Sequence, residues 1–150
     1  MQLETYKYEI NGLKQYRFVS KGRKDILKLV QFKPTWDPDI INLGFGDELP
    51  DGTIDDKSIS DNGDTIKVLA TVVQIANDFL ERFSGKKIAF TGSTPNRTKL
   101  YLRILRMYFS EFSENFLISA YSERDGIISE VDFNPKAEEN YLVFLVKRKL

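Results

Sequence analysis

The chain of 150 residues carries 22 Lys+Arg against 22 Asp+Glu, with no Cys and no His. That length suits one α+β domain over residues 1–150, and zero formal net charge argues against a nucleic-acid protein drawn to phosphate by bulk attraction. The missing residue types exclude a disulfide framework, thiol chemistry, a Ser-His-Asp triad and His or Cys metal sites.

The amino end, Met1-Gln2-Leu3-Glu4-Thr5-Tyr6-Lys7, lacks the apolar core of a secretory signal. No run approaches the ~20 apolar residues that span a bilayer, so a cytoplasmic protein without a membrane role is expected. Tyr6–Ile10 alternates and Asn11-Gly12 is a turn signal. Gln15–Ser20 and Ile26–Phe32 read as the next strands, the second closed by Pro34 and Pro38 around a loop carrying Trp36. Ile40–Phe45 and Thr53–Ser60 complete an antiparallel meander.

The period changes after Asn62-Gly63. Ile66, Leu69, Ala70, Val73, Ala76, Phe79 and Leu80 recur at steps of three and four, which predicts a buried helix from about Asp64 to Phe83. Asn62 or Asp64 is placed to cap it, and Ser84-Gly85 to end it. Lys87–Thr91 then reads as a short strand in the middle of the sheet. A second helix follows to about Phe112, capped by Thr94 with Pro95 at its first position. Its inward stripe is expected to hold Leu100, Tyr101, Ile104, Leu105, Met107 and Tyr108. Phe116–Tyr121 and Tyr141–Val146 close the sheet, joined by a loop containing Asp125-Gly126 and Asn134-Pro135.

Four segments, Asn42–Asp47, Ile54–Asp64, Lys67–Val72 and Gly92–Tyr101, resemble the marker segments of an uncharacterised bacterial domain family over nearly the whole chain. They label the family and imply no activity. The element order, with Thr94 to Tyr101 ending in Leu100-Tyr101, is also similar to the acetyl-CoA-dependent N-acetyltransferases. There the second helix opens on Asn-x-x-Ala-x-x-Leu-Tyr, whereas Thr94 and Arg97 stand here at the Asn and Ala positions. This resemblance implies an acetyltransferase-like mixed sheet. It also implies acetyl-CoA bound near Asn62, Gly63 and Thr94, with Tyr101 as general acid towards the leaving thiolate.

The pyrophosphate loop of that superfamily, Gln/Arg-x-x-Gly-x-Gly/Ala, presents backbone N–H groups to phosphate. The corresponding stretch, Ser60-Asp61-Asn62-Gly63-Asp64-Thr65, keeps one glycine and adds two acids. Like charges ~4 Å apart cost roughly 4 kcal/mol at an effective dielectric of 20, so no cofactor is expected. Asp61 and Asp64 are read instead as complementing the helix start. They end an acidic run with Asp47, Glu48, Asp51, Asp55 and Asp56. Its spacing matches no EF-hand loop, so it is read as a solvated rim and not a metal site.

Gly92, Ser93, Thr94 and Arg97 form the best candidate for binding an anion or other ligand, between a strand end and a helix start. The alternative is that Thr94 only caps while Arg97 pairs with Asp61 or Asp64. Lys99, Arg103 and Arg106 share one helix face, which is either solvated or turned to an acidic partner, a second copy included. Trp36 is either an exposed anchor for a partner or a core plug. With no Gly-x-Ser-x-Gly, P-loop or Rossmann pattern, the reading favours a non-enzymatic binding or regulatory module on an acetyltransferase-like scaffold. A divergent acetyl-CoA-dependent N-acetyltransferase is the alternative.

Overall fold

In the computed structural model, which describes residues 3–55, 62–91 and 95–149, apolar alternation along short segments builds a mixed sheet. Strands β1 (Glu9–Asn11), β2 (Gln15–Lys21), β3 (Asp25–Pro34) and β4 (Ile40–Glu48) pair antiparallel in order, and the two-residue β5 (Ile54–Asp55) pairs with the end of β4. The strand expected over 53–60 is thus reduced to Ile54–Asp55, and residues 56–61 lie outside the described residues. Helix α1 (Thr65–Arg82) returns the chain to β6 (Lys87–Phe90), which lies parallel to β4. Helices α2 (Pro95–Met107) and α3 (Phe109–Phe112) follow. Then come β7 (Phe116–Arg124), β8 (Ile127–Asp132) and β9 (Tyr141–Arg148). The sheet order is β1-β2-β3-β4-β6-β9-β7-β8, so β6 is central as its apolar run predicts.

Register decides which face holds the core. Tyr16, Val30 and Phe45 stand in line across β2, β3 and β4, as do Ile88, Val146 and Ile118 across β6, β9 and β7. Onto this face α1 lays Val68, Val72, Ile75, Ala76, Phe79 and Leu80. The neighbouring half of the same face, with Phe144 and Ala120, receives Ile104, Leu105 and Phe112 of α2 and α3. Phe32 and Phe79 stack with centroids 4.0 Å apart, joining β3 to α1 at the middle of the core. Leu117 and Ile128, on the opposite sheet face, remain exposed. No helix among the described residues is long and apolar enough to cross a membrane.

Three expectations need correction. The connection between the last two expected strands contains β8, hairpinned to β7 through Asp125 and Gly126. Both have positive φ, 53° and 78°, the pattern of a two-residue primed turn that matches strand twist. The second helix breaks at Tyr108, whose φ of −114° and ψ of 22° leave the helical region, giving α2 and α3. Met107 is 60% exposed. At about 100° of rotation per residue, Met107 falls roughly 110° from the line midway between Ile104 and Leu105, off the inward stripe. Trp36 is 93% exposed, so it is not a core plug.

Phe32→Ala, which removes a buried ring from the stack, should lower unfolding free energy by about 3–5 kcal/mol. Trp36→Ala should change it by no more than about 0.5 kcal/mol; urea unfolding of the two variants checks both.

The Tyr8 hydroxyl donates to Asp78 at 2.9 Å. Burial, followed by that carboxylate, pushes it up to about 12. A folded value above the ordinary ~10 means the stabilisation is complete below about pH 10 and lost as pH rises towards 12. Tyr8→Phe should therefore lessen the alkaline fall in the urea midpoint between about pH 10 and 12.

Candidate functional site

β4 and β6 pair only from Ile40 with Lys87 to Asn42 with Ala89. Beyond that point β4 stays with β3, through Leu43 with Phe32 and Phe45 with Val30, while β6 stays with β9. The two strands therefore part. Leu43, Gly44 and Phe45 on one side and Ile88, Phe90 and Thr91 on the other line a cavity of about 270 Å³. α1 contributes Leu69, Val72, Val73 and Ala76 to its wall, and α2 adds Ile104 and Leu105. Few polar side chains reach it: Asn42, Thr91, Arg97 and Tyr101.

Arg97 and Tyr101 lie four residues apart and so share one face of α2. The Tyr101 ring is half-buried between Phe45 and Phe90, at centroid distances of 6.2 and 6.1 Å. Both residues also line an adjoining crevice of about 70 Å³, together with Lys28, Asp64 and Thr65 at the start of α1. Of the expected anion site, Arg97 is thus brought to the cavity. Gly92, Ser93 and Thr94 lie outside the described residues, and so does Asp61.

Asn62 and Asp64 serve a different role from the capping expected of them. Asn62 is 2% exposed, and its amide donates to the Ser20 hydroxyl at 2.9 Å and the Lys24 carbonyl at 2.7 Å. Its side-chain oxygen accepts from the Lys24 N–H at 2.9 Å, and its carbonyl from the Arg23 N–H at 3.0 Å. It stitches the β2–β3 turn to the start of α1. The approach is close enough to require glycine in that turn, because a Cβ at Gly22 would sit 1.7 Å from the Asn62 carbonyl oxygen.

Asp64 occupies the N-cap position without a side-chain bond to the helix. Its carboxylate instead accepts from the Tyr6 hydroxyl at 2.6 Å and the Ser20 hydroxyl at 2.5 Å. Burial, with Asp64 next in importance, raises the Tyr6 hydroxyl above its ordinary value. The Tyr6 N–H donates to Thr71 on α1, and Lys67 lies over its ring. An acid that bonds two hydroxyls from outside the helix has left the capping geometry, which is why the expected cap is not formed.

The acidic run is likewise divided among partners. Asp47 pairs with Lys28, Glu48 with Arg17 at 2.5 Å, and Asp51 accepts from Thr53. Among the described residues there is no group of three acids placed to hold a metal ion. The basic face of α2 is exposed at Lys99, Arg103 and Arg106, with Arg106 bonded to the Ala137 carbonyl at 2.9 Å. Sequence reasoning missed Lys28, a cation buried at 6% exposure beside the crevice. The signal was available, since Lys28 alternates with Val30 and Phe32 and so points to the core.

A profile for a family of unknown function, DUF6934, matches residues 2–149. The chain belongs to that family. Membership bears out the resemblance carried by the four marker segments and brings no activity with it. No curated protein and no solved structure matches the chain.

Asn62→Ala leaves buried backbone groups of the β2–β3 turn without partners. It should lower stability by about 1–3 kcal/mol, read as an earlier urea midpoint with an unchanged slope.

Proposed function

We propose that this domain is a non-enzymatic binding module for a small apolar ligand, held where β4 and β6 separate. The observation that carries the reading is the cavity itself. It measures about 270 Å³, is walled mostly by aliphatic and aromatic side chains, and has a few polar groups including Arg97 and Tyr101. Small-molecule sites have this character, although they usually run from about 300 Å³ upward. A dry apolar cavity of ~150 Å³ accepts one benzene, so by proportion this one suits about ten or eleven non-hydrogen atoms. In this reading Tyr101 is a wall of the site.

The second reading is a divergent acetyl-CoA-dependent N-acetyltransferase. Two features favour it: the parallel β4–β6 pair that parts after a few residues, and Tyr101 beside the opening. Against it stand the residues at the start of α1. Asn62 is buried and committed to the β2–β3 turn, and Asp64 brings a carboxylate where a pyrophosphate would lie. Those residues do not suit the cofactor, so Tyr101 is given no catalytic step.

The two readings separate by calorimetry and thermal unfolding with 1-octanol and with acetyl-CoA. Octanol should bind with one-to-one stoichiometry and raise the melting temperature, and Ala76→Leu or Val73→Phe should abolish both effects by filling the cavity. Acetyl-CoA at millimolar concentration should leave the melting temperature unchanged, whereas a ligand at 100 times its dissociation constant adds about 2.7 kcal/mol. Stabilisation by acetyl-CoA without any response to octanol would overturn the first reading in favour of the second.

A further inference from the structure

We infer that the occupant of this cavity is an anion: a medium-chain or aryl carboxylate of about ten non-hydrogen atoms, its acid group held by Arg97. The inference rests on the cavity being a ligand site and adds the chemical class of the ligand. Among the described residues lining the cavity, Arg97 alone is charged. Every other polar lining group is a neutral amide, hydroxyl or phenol, from Asn42, Thr91 and Tyr101, or a backbone group. The apolar walls come from three strands of one sheet face and from α1 and α2, so the charged residue marks one end of an otherwise greasy space.

That end is directional. Arg97 and Tyr101 are shared with the adjoining crevice, which contains Lys28, Asp64 and Thr65. The other charges there are engaged within the fold: Lys28 with Asp47, and Asp64 with the hydroxyls of Tyr6 and Ser20. A guanidinium is a planar fork of several N–H donors, and a partner inside the protein uses only some of them. The remaining edge suits the two oxygens of a carboxylate, the pairing for which Arg is best shaped. A neutral ligand of the same length would desolvate the guanidinium without replacing its water by an acceptor. A carboxylate replaces that water, in surroundings of low polarity where the attraction is stronger. An alkylammonium would bring two cations together.

The chemistry therefore predicts a ranking that volume alone does not. Octanoate, 1-octanol and octylammonium have the same chain and differ at the head group. At neutral pH and fixed ionic strength, calorimetry should find octanoate bound at least about tenfold more tightly than octanol, the margin of a hydrogen bond to a charged group. Octylammonium should bind more weakly than either. Arg97→Gln should collapse the octanoate-to-octanol ratio to within about threefold, and Arg97→Lys should restore part of it. Equal binding of octanoate and octanol by the wild-type chain, with both lost in Ala76→Leu, would overturn the inference and leave the cavity as a site for neutral ligands. Failure of all three to bind would overturn the cavity reading itself. A ratio that persists in Arg97→Gln would place the acid group elsewhere and refute the assignment to Arg97.

Discussion

The geometry of the domain turns on a short parallel ladder. β4 and β6 are joined for a few residues at one end, and each is then held by a different neighbour, β3 or β9. Sheet twist drives apart strands that no longer share hydrogen bonds, and the opening must be closed by side chains from the helices above it. α1 and α2 supply Leu69, Val72, Ile104 and Leu105, which close it only partly. A remaining cavity is uncommon where interiors pack at crystal-like density. Its presence beside Arg97 and Tyr101 is what separates this region from the filled core around Phe32 and Phe79.

The opposite priority governs the entrance to α1. There the polar groups are satisfied by one another, with Asn62 bonded to the β2–β3 turn and Asp64 to Tyr6 and Ser20. A buried amide with its donors and acceptor all engaged fixes position more than it adds net stability, since each bond replaces one to water. This network anchors the first turn of α1 against β2 and β3 and so determines how far the helix stands from the open strands. The polar cluster and the cavity are mechanically connected through α1, although they have no side chain in common.

Much of this architecture was legible from local pattern. Alternation in Gln15–Ser20, the helical steps of Ile66 to Leu80 and the apolar run at Lys87–Phe90 each dictate an element without reference to distant residues. Spacing also places Arg97 and Tyr101 on one helical face. What escaped was of two kinds. β8 was hidden although Asp125-Gly126 is a strong hairpin signal, because its strand, Ile127–Asp132, buries little and shows weak contrast between faces. The roles of Asn62, Asp64 and Lys28 depended on partners at Ser20, Lys24, Tyr6 and Asp47, brought in by folding from far along the chain. The cavity belongs to that second kind, since no single segment encodes the point at which two strands stop pairing.

The interior position of β9 has a consequence for how the chain is made. Residues Tyr141–Arg148 lie between β6 and β7, both synthesised earlier. While that stretch is still inside the ribosomal tunnel, the meander with β6 and the β7–β8 hairpin are two separate pieces with unpaired borders. Assembly is therefore post-translational in its decisive step, and slow for its size because the joining contacts span long stretches of chain. The nascent protein passes through a stage in which chaperone binding at those borders would matter most.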